Sequence, residues 1–132
     1  MEYSCSGVLA GHTQDVKFVC WHPERDQLFS ASYDDTIKAW SYEESVDEWV
    51  CKYTIRGHSS TVWAIDFDPS GNYLVSCSED KIWLVWSVTE SNYKKLCHVK
   101  DTHFRAIYSI NWCKQLVQDG TKHRIATVGS DN

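Results

Sequence analysis

Histidine, aspartate and serine residues recur in this sequence at spacings that could build a nucleophilic triad, in which a carboxylate orients an imidazole beside a hydroxyl. Two such sets occur, one 46 residues after the other: His12 with Asp34 and Ser30 or Ser32, and His58 with Asp80 and Ser76 or Ser78. An enzyme needs one organised site, whereas a set that recurs in every repeat solves a packing problem that all repeats share. The sequence therefore predicts structural networks and no catalytic residues.

Cysteine and histidine side chains also lie close enough in the sequence to be considered as metal ligands. Cys20, for example, lies two residues before His22. However, Cys5, Cys51 and Cys97 are spaced 46 residues apart, so they fall at equivalent positions of successive repeats and are too dispersed to converge on one ion. We expect no bound metal, no cofactor and six free thiols, as is typical of a reducing compartment.

The spacing of these residues reveals an internal repeat. The pairs Gly11-His12 and Gly57-His58 are followed by Thr102-His103, which gives histidine spacings of 46 and 45 residues. Each of the first two histidines precedes an aspartate by 22 residues and a tryptophan by 28 residues. The third copy carries an insertion within 114–123 and stops before a third tryptophan.

Each repeat has the pattern of a small antiparallel sheet. In the first repeat, four runs rich in β-branched and aromatic residues are predicted as strands: Val16 to Trp21, Gln27 to Ser32, Thr36 to Trp40 and Trp49 to Ile55. Units of this length, with Gly-His near the start and a tryptophan closing the third strand, resemble the blades of a WD-repeat β-propeller. The predicted fold class is therefore all-β.

The number of repeats falls short of a closed propeller. Such rings have about four to eight blades, whereas 132 residues at this period supply about 2.9 units. We expect part of a roughly seven-bladed ring, with an outer strand of a preceding blade in 1–10, full blades in 11–56 and 57–101, and a partial blade in 102–132. Uncovered blade faces indicate a fragment of a longer protein or assembly with further copies. The predicted structural network consists of His12, Ser32, Asp34, Trp40, His58, Ser78, Asp80, Trp86, His103 and Asp131.

The charge balance disfavours several classes of function. Eighteen acidic and 13 basic residues give a formal net charge of −5, which is unfavourable for binding nucleic-acid phosphates. The longest apolar run, Ile82 to Trp86, is far shorter than the ~20 residues of a membrane helix. No secretory signal is evident. We expect a cytoplasmic protein, with the nucleus as a second location, whose partners are proteins and not nucleic acids, membranes or small-molecule substrates.

Several stretches together closely resemble one family of propellers. They are His12 to Lys17, Trp21-His22-Pro23, Ser30 to Thr36, Trp49-Val50-Cys51, Ser60 to Trp63, Phe67 to Gly71, and Ile107-Tyr108 with Trp112-Cys113. The sequence of these stretches is similar to that of the WD-repeat subunits of the cytosolic iron–sulfur protein assembly (CIA) targeting complex. It departs from that pattern at Ile82-Trp83, where the first repeat has Thr36-Ile37.

The resemblance implies a non-catalytic scaffold that docks the other protein subunits of that complex and helps to deliver iron–sulfur clusters to cytosolic and nuclear apoproteins. On such a disc, loops from several blades would form one composite binding rim. Aromatic and arginine side chains dominate protein-binding hot spots, so Tyr33 and Arg105 are the strongest candidates. The full set of expected rim residues is Gln14, Tyr33, Asp35, Ser60, Glu79, Lys81 and Arg105.

Two alternatives stay open from the sequence. Another WD-repeat adaptor, such as a ubiquitin-ligase substrate receptor or a chromatin-binding propeller, would share this fold and differ in its partners. An enzyme or metal protein would contain stoichiometric iron or zinc, or would lose an activity on His12→Ala without unfolding. Trp63 does not recur in the repeat, so it either packs in an inner strand or approaches the central channel.

Overall fold

The computed structural model describes residues 1–115 and 122–131, and every regular element in these ranges is a β-strand. The strands are β1 (Val16–Trp21), β2 (Gln27–Ser32), β3 (Ile37–Glu43), β4 (Glu48–Ile55), β5 (Val62–Phe67), β6 (Tyr73–Ser78), β7 (Trp83–Val88), β8 (Tyr93–Val99), β9 (Ile107–Trp112) and β10 (Ile125–Gly129). The predicted all-β fold class is confirmed. No helix with the length and apolarity needed to cross a membrane occurs in the described ranges.

The strands form three antiparallel sheets in which neighbours in sequence are neighbours in space. The first two sheets have the orders β1-β2-β3-β4 and β5-β6-β7-β8, and β9 pairs with β10 in a third. These sheets are two blades and part of a third, as the repeat predicts, and they lie within 11–56, 57–101 and 102–132. Most of the insertion expected within 114–123, namely 116–121, lies outside the described residues.

Each blade packs its apolar face on the next blade. Between the first two blades, the rings of Phe29 and Phe67 meet edge to face with their centroids 4.9 Å apart, inside a core to which both sheets contribute. Between the second and third blades, Val75 and Cys77 pack with Ile107 in a separate core. Because successive strand residues point to opposite faces, the middle blade contributes to both cores.

One apolar face of the first blade is largely exposed. Val16, Val19 and Trp21 on β1 are 49%, 57% and 56% exposed. Their counterparts in β5, 46 residues later, are at most 2% exposed because the first blade packs on them. The expected outer strand in 1–10 is not assigned as a strand; it stays a prediction, since such a strand would pair with the third strand of a preceding blade.

Polar contacts also link the blades. His22 in the first blade bonds through Nε2 to the carbonyl oxygen of Gly71 in the second at 2.9 Å. Gly71 has a φ of +73°, and a Cβ at this position would lie 2.3 Å from the His22 ring. Asp66 accepts a hydrogen bond from the backbone N–H of Trp112 at 2.7 Å. These bonds fix the blades relative to one another.

Candidate functional site

A buried hydrogen-bond network connects the start of the first blade to its second and third strands. His12 Nδ1 lies 2.8 Å from Asp34 Oδ2, and His12 Nε2 lies 2.7 Å from Ser30 Oγ. Trp40 Nε1 donates to the same Ser30 Oγ at 2.8 Å. If the ionised aspartate accepts the Nδ1 proton, Nε2 is free to accept the serine hydroxyl proton, so each donor meets an acceptor.

The second blade repeats this network with the same geometry. His58 lies 2.9 Å from Asp80 and 2.7 Å from Ser76 Oγ, and Trp86 Nε1 donates to Ser76 Oγ at 2.8 Å. Ser76 is fully buried, so no substrate can reach its hydroxyl. In both blades the four side chains hold the second and third strands, the turn between them and the loop before the first strand together.

The third blade keeps the histidine, the hydroxyl and the aspartate of the network, with a threonine in place of the serine. His103 Nδ1 lies 2.8 Å from Asp131 Oδ1, and His103 Nε2 lies 2.9 Å from Thr127 Oγ1. Thr127 was not among the residues expected from the sequence, because the insertion lengthens the distance from histidine to aspartate to 28 residues. The available signal was its place four residues before Asp131, which matches the serine and aspartate spacing of the other blades.

In each of the first two blades the sequence offers two serines as partners of the histidine. In the structure these two serines make different hydrogen bonds. Ser30, and not the Ser32 named in the predicted network, bonds the histidine and the tryptophan. Ser32 Oγ instead donates to the Asp15 carbonyl oxygen at 2.9 Å and accepts from the Asp34 N–H at 3.0 Å. In the second blade Ser78 Oγ donates to the Ser60 carbonyl oxygen at 3.1 Å and accepts from the Asp80 N–H at 3.1 Å. Ser32 and Ser78 therefore stabilise the turn and not the histidine.

The network carboxylates are held in their ionised form. Burial opposes ionisation of Asp34, but hydrogen bonds from the side chains of Thr36 and His12 outweigh it and lower its pKa to about 2. The pKa of Asp80 is also lowered: burial opposes this, and the hydrogen bond from His58 outweighs it. Ile82, which stands where the first blade has Thr36, supplies a backbone N–H to Asp80 but no hydroxyl.

The cysteines and histidines are distributed over the blades. Cys51 lies in β4 and Cys97 in β8, at matching places, and all six cysteines are free. Across 1–115 and 122–131, no three histidine, cysteine, aspartate or glutamate side chains come together in an arrangement that could hold a metal ion.

The expected rim residues lie in two kinds of loop at one edge of the blades. Gln14, Ser60 and Arg105 precede first strands, whereas the other four lie in the turns between second and third strands. Backbone bonds hold the two kinds of loop together, from Tyr33 N to Asp15 O at 2.8 Å in the first blade and from Glu79 N to Thr61 O at 3.0 Å in the second.

Three further residues lie together at this edge, and the sequence pattern did not predict them as a group. The first strand of every blade carries a β-bulge at its second residue, so that Lys17, Trp63 and Tyr108 are skipped in the pairing with the second strand. A bulge turns its side chain away from the regular alternation of the strand. The available signal was their equivalent position in the repeat, 46 and 45 residues apart.

The bulged side chains touch one another and two of the expected rim residues. Lys17 Nζ lies 5.5 Å from the ring centre of Tyr33 and 5.7 Å from that of Trp63. The rings of Trp63 and Tyr108 meet edge to face at 5.4 Å, and Trp63 Nε1 donates to Glu79 Oε2 at 2.8 Å. We call these five side chains the bulge band. It crosses all three blades.

The repeated networks and the blade sheets define a WD-repeat protein. The family model for the WD domain, G-beta repeat, matches residues 3–41 and 49–87. The chain belongs to the WD40 repeat family, as its internal repeat predicts.

The chain is also similar in sequence to individual proteins. The chain is 40% identical over 123 residues to a probable cytosolic iron-sulfur protein assembly protein CIAO1 homolog of Ixodes scapularis, covering 92% of this chain and 36% of the relative. It is 37% identical over 65 residues to a probable cytosolic iron-sulfur protein assembly protein 1 of Chaetomium globosum, covering 38% and 14%. It is 54% identical over 33 residues to human pre-mRNA-processing factor 19, covering 25% and 6%. The chain thus spans about a third of the length of the first of these relatives.

Proposed function

We propose that this chain belongs to a non-catalytic adaptor of the cytosolic iron–sulfur protein assembly machinery. The observation that carries the proposal is the 40% identity, over 92% of the chain, to a protein described as acting in that assembly. The shorter match to the Chaetomium globosum protein points to the same machinery. Iron–sulfur clusters would be cargo delivered to cytosolic and nuclear apoproteins, with the chain located in the cytoplasm and the nucleus.

The geometry of the triad-like sets supports an adaptor over an enzyme. Ser76 is fully buried and Ser30 is 4% exposed, and in each case a tryptophan N–H occupies the hydroxyl oxygen. A nucleophilic serine needs an oxygen that a substrate can approach. The networks instead fix the loops that carry the rim, which is the task of a rigid interaction disc.

The partner surface that we propose is the rim of Gln14, Tyr33, Asp35, Ser60, Glu79, Lys81 and Arg105, joined by the bulge band. Tyr33 is 50% exposed, and Tyr108 in the next-but-one blade is 47% exposed. Exposed aromatic rings held by neighbouring side chains contribute strongly to protein binding because little entropy is lost on contact. The expected partners are protein subunits of the CIA targeting complex and, through them, its apoprotein clients.

The experiment that tests the adaptor function is affinity purification of the tagged endogenous protein followed by mass spectrometry. We expect cytosolic iron–sulfur assembly subunits to co-purify in stoichiometric amounts. Recovery of cullin-ligase subunits or histones in their place would favour a different WD-repeat adaptor and contradict this proposal.

The rim assignment is tested separately with Tyr33→Ala and Arg105→Ala. Each change should weaken partner recovery while the circular dichroism spectrum stays that of the wild type. Tyr3→Ala and Lys95→Ala, which alter exposed side chains away from the rim loops, serve as matched controls and should leave recovery unchanged. Unchanged recovery with both rim variants would show that partners bind elsewhere.

A further inference from the structure

We propose that Trp63, Tyr108 and Glu79 form a recognition site for an arginine side chain of a partner protein. The inference deepens the proposed function, because it rests on the assignment of this edge of the blades to protein binding. It adds the chemistry of the group that is recognised.

The three side chains supply the contacts that a guanidinium group prefers. The rings of Trp63 and Tyr108 stand 77° to each other, which presents a ring face beside a ring edge. Glu79 is exposed and bonds the indole N–H through Oε2 alone, so Oε1 can accept from a ligand. A planar guanidinium stacks on an aromatic face while donating to a carboxylate, which the compact ammonium of lysine does less well.

A cation of the neighbouring blade already lies against aromatic rings of this edge. Lys17, the bulged residue of the first blade, lies within 6 Å of the ring centres of Tyr33 and Trp63. One blade further on, the bulged residue is Trp63, the turn residue is Glu79 and the following ring is Tyr108. This second position combines two rings with a carboxylate, and the chain's own lysine is replaced by tryptophan.

The surrounding charges favour a cationic ligand. Lys17, whose Nζ lies 5.7 Å from the centre of the Trp63 ring, is paired with Asp15 at 3.2 Å. Asp35 and Glu79 add negative charge to the rim, and hydrogen bonds to the buried carboxylates of Asp34 and Asp80 lower their pKa values and keep them ionised. Lys81 and Arg105 are the opposing charges on these loops. With a net charge of −5 for the whole chain, long-range attraction also favours a basic partner.

The test uses the indole N–H of Trp63 as a reporter in the purified chain. Nitrogen-15 NMR spectra would be recorded during titration with N-acetyl-arginine amide, N-acetyl-lysine amide and N-acetyl-glutamate amide. The Trp63 signal is assigned by its loss in Trp63→Phe. We expect arginine to shift this signal with an affinity about fivefold above that of lysine, and glutamate to leave it in place.

Two variants decide whether the carboxylate and the second ring take part. Glu79→Gln and Tyr108→Leu should each reduce the arginine affinity about fivefold, whereas Glu90→Gln, which alters an exposed carboxylate outside the bulge band, should not. Amide spectra of each variant check that it is folded. If one variant does not fold, the other alone is sufficient for the test. An arginine response that survives both changes, or an equal response to glutamate, would overturn the inference.

The outcome is independent of the test of the adaptor function. Recovery of cytosolic iron–sulfur assembly subunits without an arginine response would leave the adaptor function standing and refute this site. An arginine response without recovery of those subunits would support this site and contradict the adaptor function.

Discussion

His58 Nδ1 lies 2.9 Å from Asp80 Oδ2, and the same bond joins His12 to Asp34 at 2.8 Å. Both pairs are nearly inaccessible to solvent, with side-chain exposures of 7% or less. Each pair ties the loop before the first strand to the turn after the second strand. Since these two loops carry the expected rim residues, the buried pair determines where the rim side chains stand.

Replacing Ser76 with alanine should destabilise the chain strongly. The change leaves Trp86 Nε1 without its acceptor and His58 Nε2 without its donor in a fully buried site. Each orphaned group costs about 1–3 kcal/mol. The free energy of unfolding measured in urea should therefore fall by several kcal/mol. For Ser91→Ala, at an exposed site, it should stay near the wild-type value. Equal stability of the two variants would contradict the network.

The chain should lose stability in acid because of Asp34. Its pKa in the folded state is about 2, against an ordinary value of 3.8. A carboxyl with a lowered pKa stabilises the fold above its ordinary pKa, and this contribution is lost as the pH falls from about 4 to about 2. Allowing for solvent screening, it amounts to about 1–2 kcal/mol.

The measurement is the free energy of unfolding across that acid range for the wild type and Asp34→Asn. The variant should be less stable at neutral pH and show a flatter acid dependence. Asp35→Asn, at the next residue, is the matched control and should keep the wild-type slope. A wild-type slope in Asp34→Asn would show that another group is responsible.

A second pH effect is expected from His22, which joins the first two blades. Burial lowers its pKa below the ordinary 6.5, and its Nδ1 accepts backbone N–H groups from Glu24 and Arg25. The unfolded chain therefore binds more protons than the folded chain just below that pKa. Stability should therefore fall as the pH drops below 6.5 towards the lowered pKa of the folded state.

Thermal melting at a series of pH values checks this expectation. His22→Gln should lose the part of the pH dependence that lies in this window, whereas His98→Gln at an exposed site should retain it. If His98→Gln and His22→Gln behave alike, the interblade histidine does not titrate as described.

Two equivalent tryptophans should respond differently to substitution by serine. Trp21 is 56% exposed on β1, whereas Trp112 is 3% exposed at the matching place on β9. Trp112→Ser should cost about 3–5 kcal/mol because it empties a packed core. Trp21→Ser should change stability by less than about 1 kcal/mol and reduce self-association, since it removes exposed apolar surface.

Chemical unfolding and light scattering measure these two effects. A large loss of stability on Trp21→Ser would mean that β1 is covered in solution. Unchanged scattering would mean that this face does not drive association.

Most of the blade architecture could be predicted from the sequence. The predicted bounds of β1 and β2 coincide with the observed ones, because their apolar runs are bounded by turn residues. The third strand was expected to end at Trp40, but β3 continues to Glu43. Its last residues pair with β4 through Tyr42 opposite Trp49, and polar residues such as Ser41 hide this continuation from a pattern of apolar residues.

The details of the candidate site were less predictable. Ser30 and Ser32 lie two residues apart on one strand and so share a face, which is why the sequence could not tell which of them bonds the histidine. The bulge band depends on a backbone irregularity that cannot be predicted from the residue types. Contacts such as that between Lys17 and Trp63 join different blades and follow only from their packing.

The most direct test of the adaptor function is the cluster content of a cytosolic iron–sulfur enzyme in cells depleted of the protein. Iron bound per polypeptide would be measured on the immunopurified enzyme, with a mitochondrial iron–sulfur enzyme as the control. We expect the cytosolic enzyme to lose its cluster while its polypeptide persists and the mitochondrial enzyme is unaffected. Full cluster occupancy of the cytosolic enzyme after depletion would contradict it.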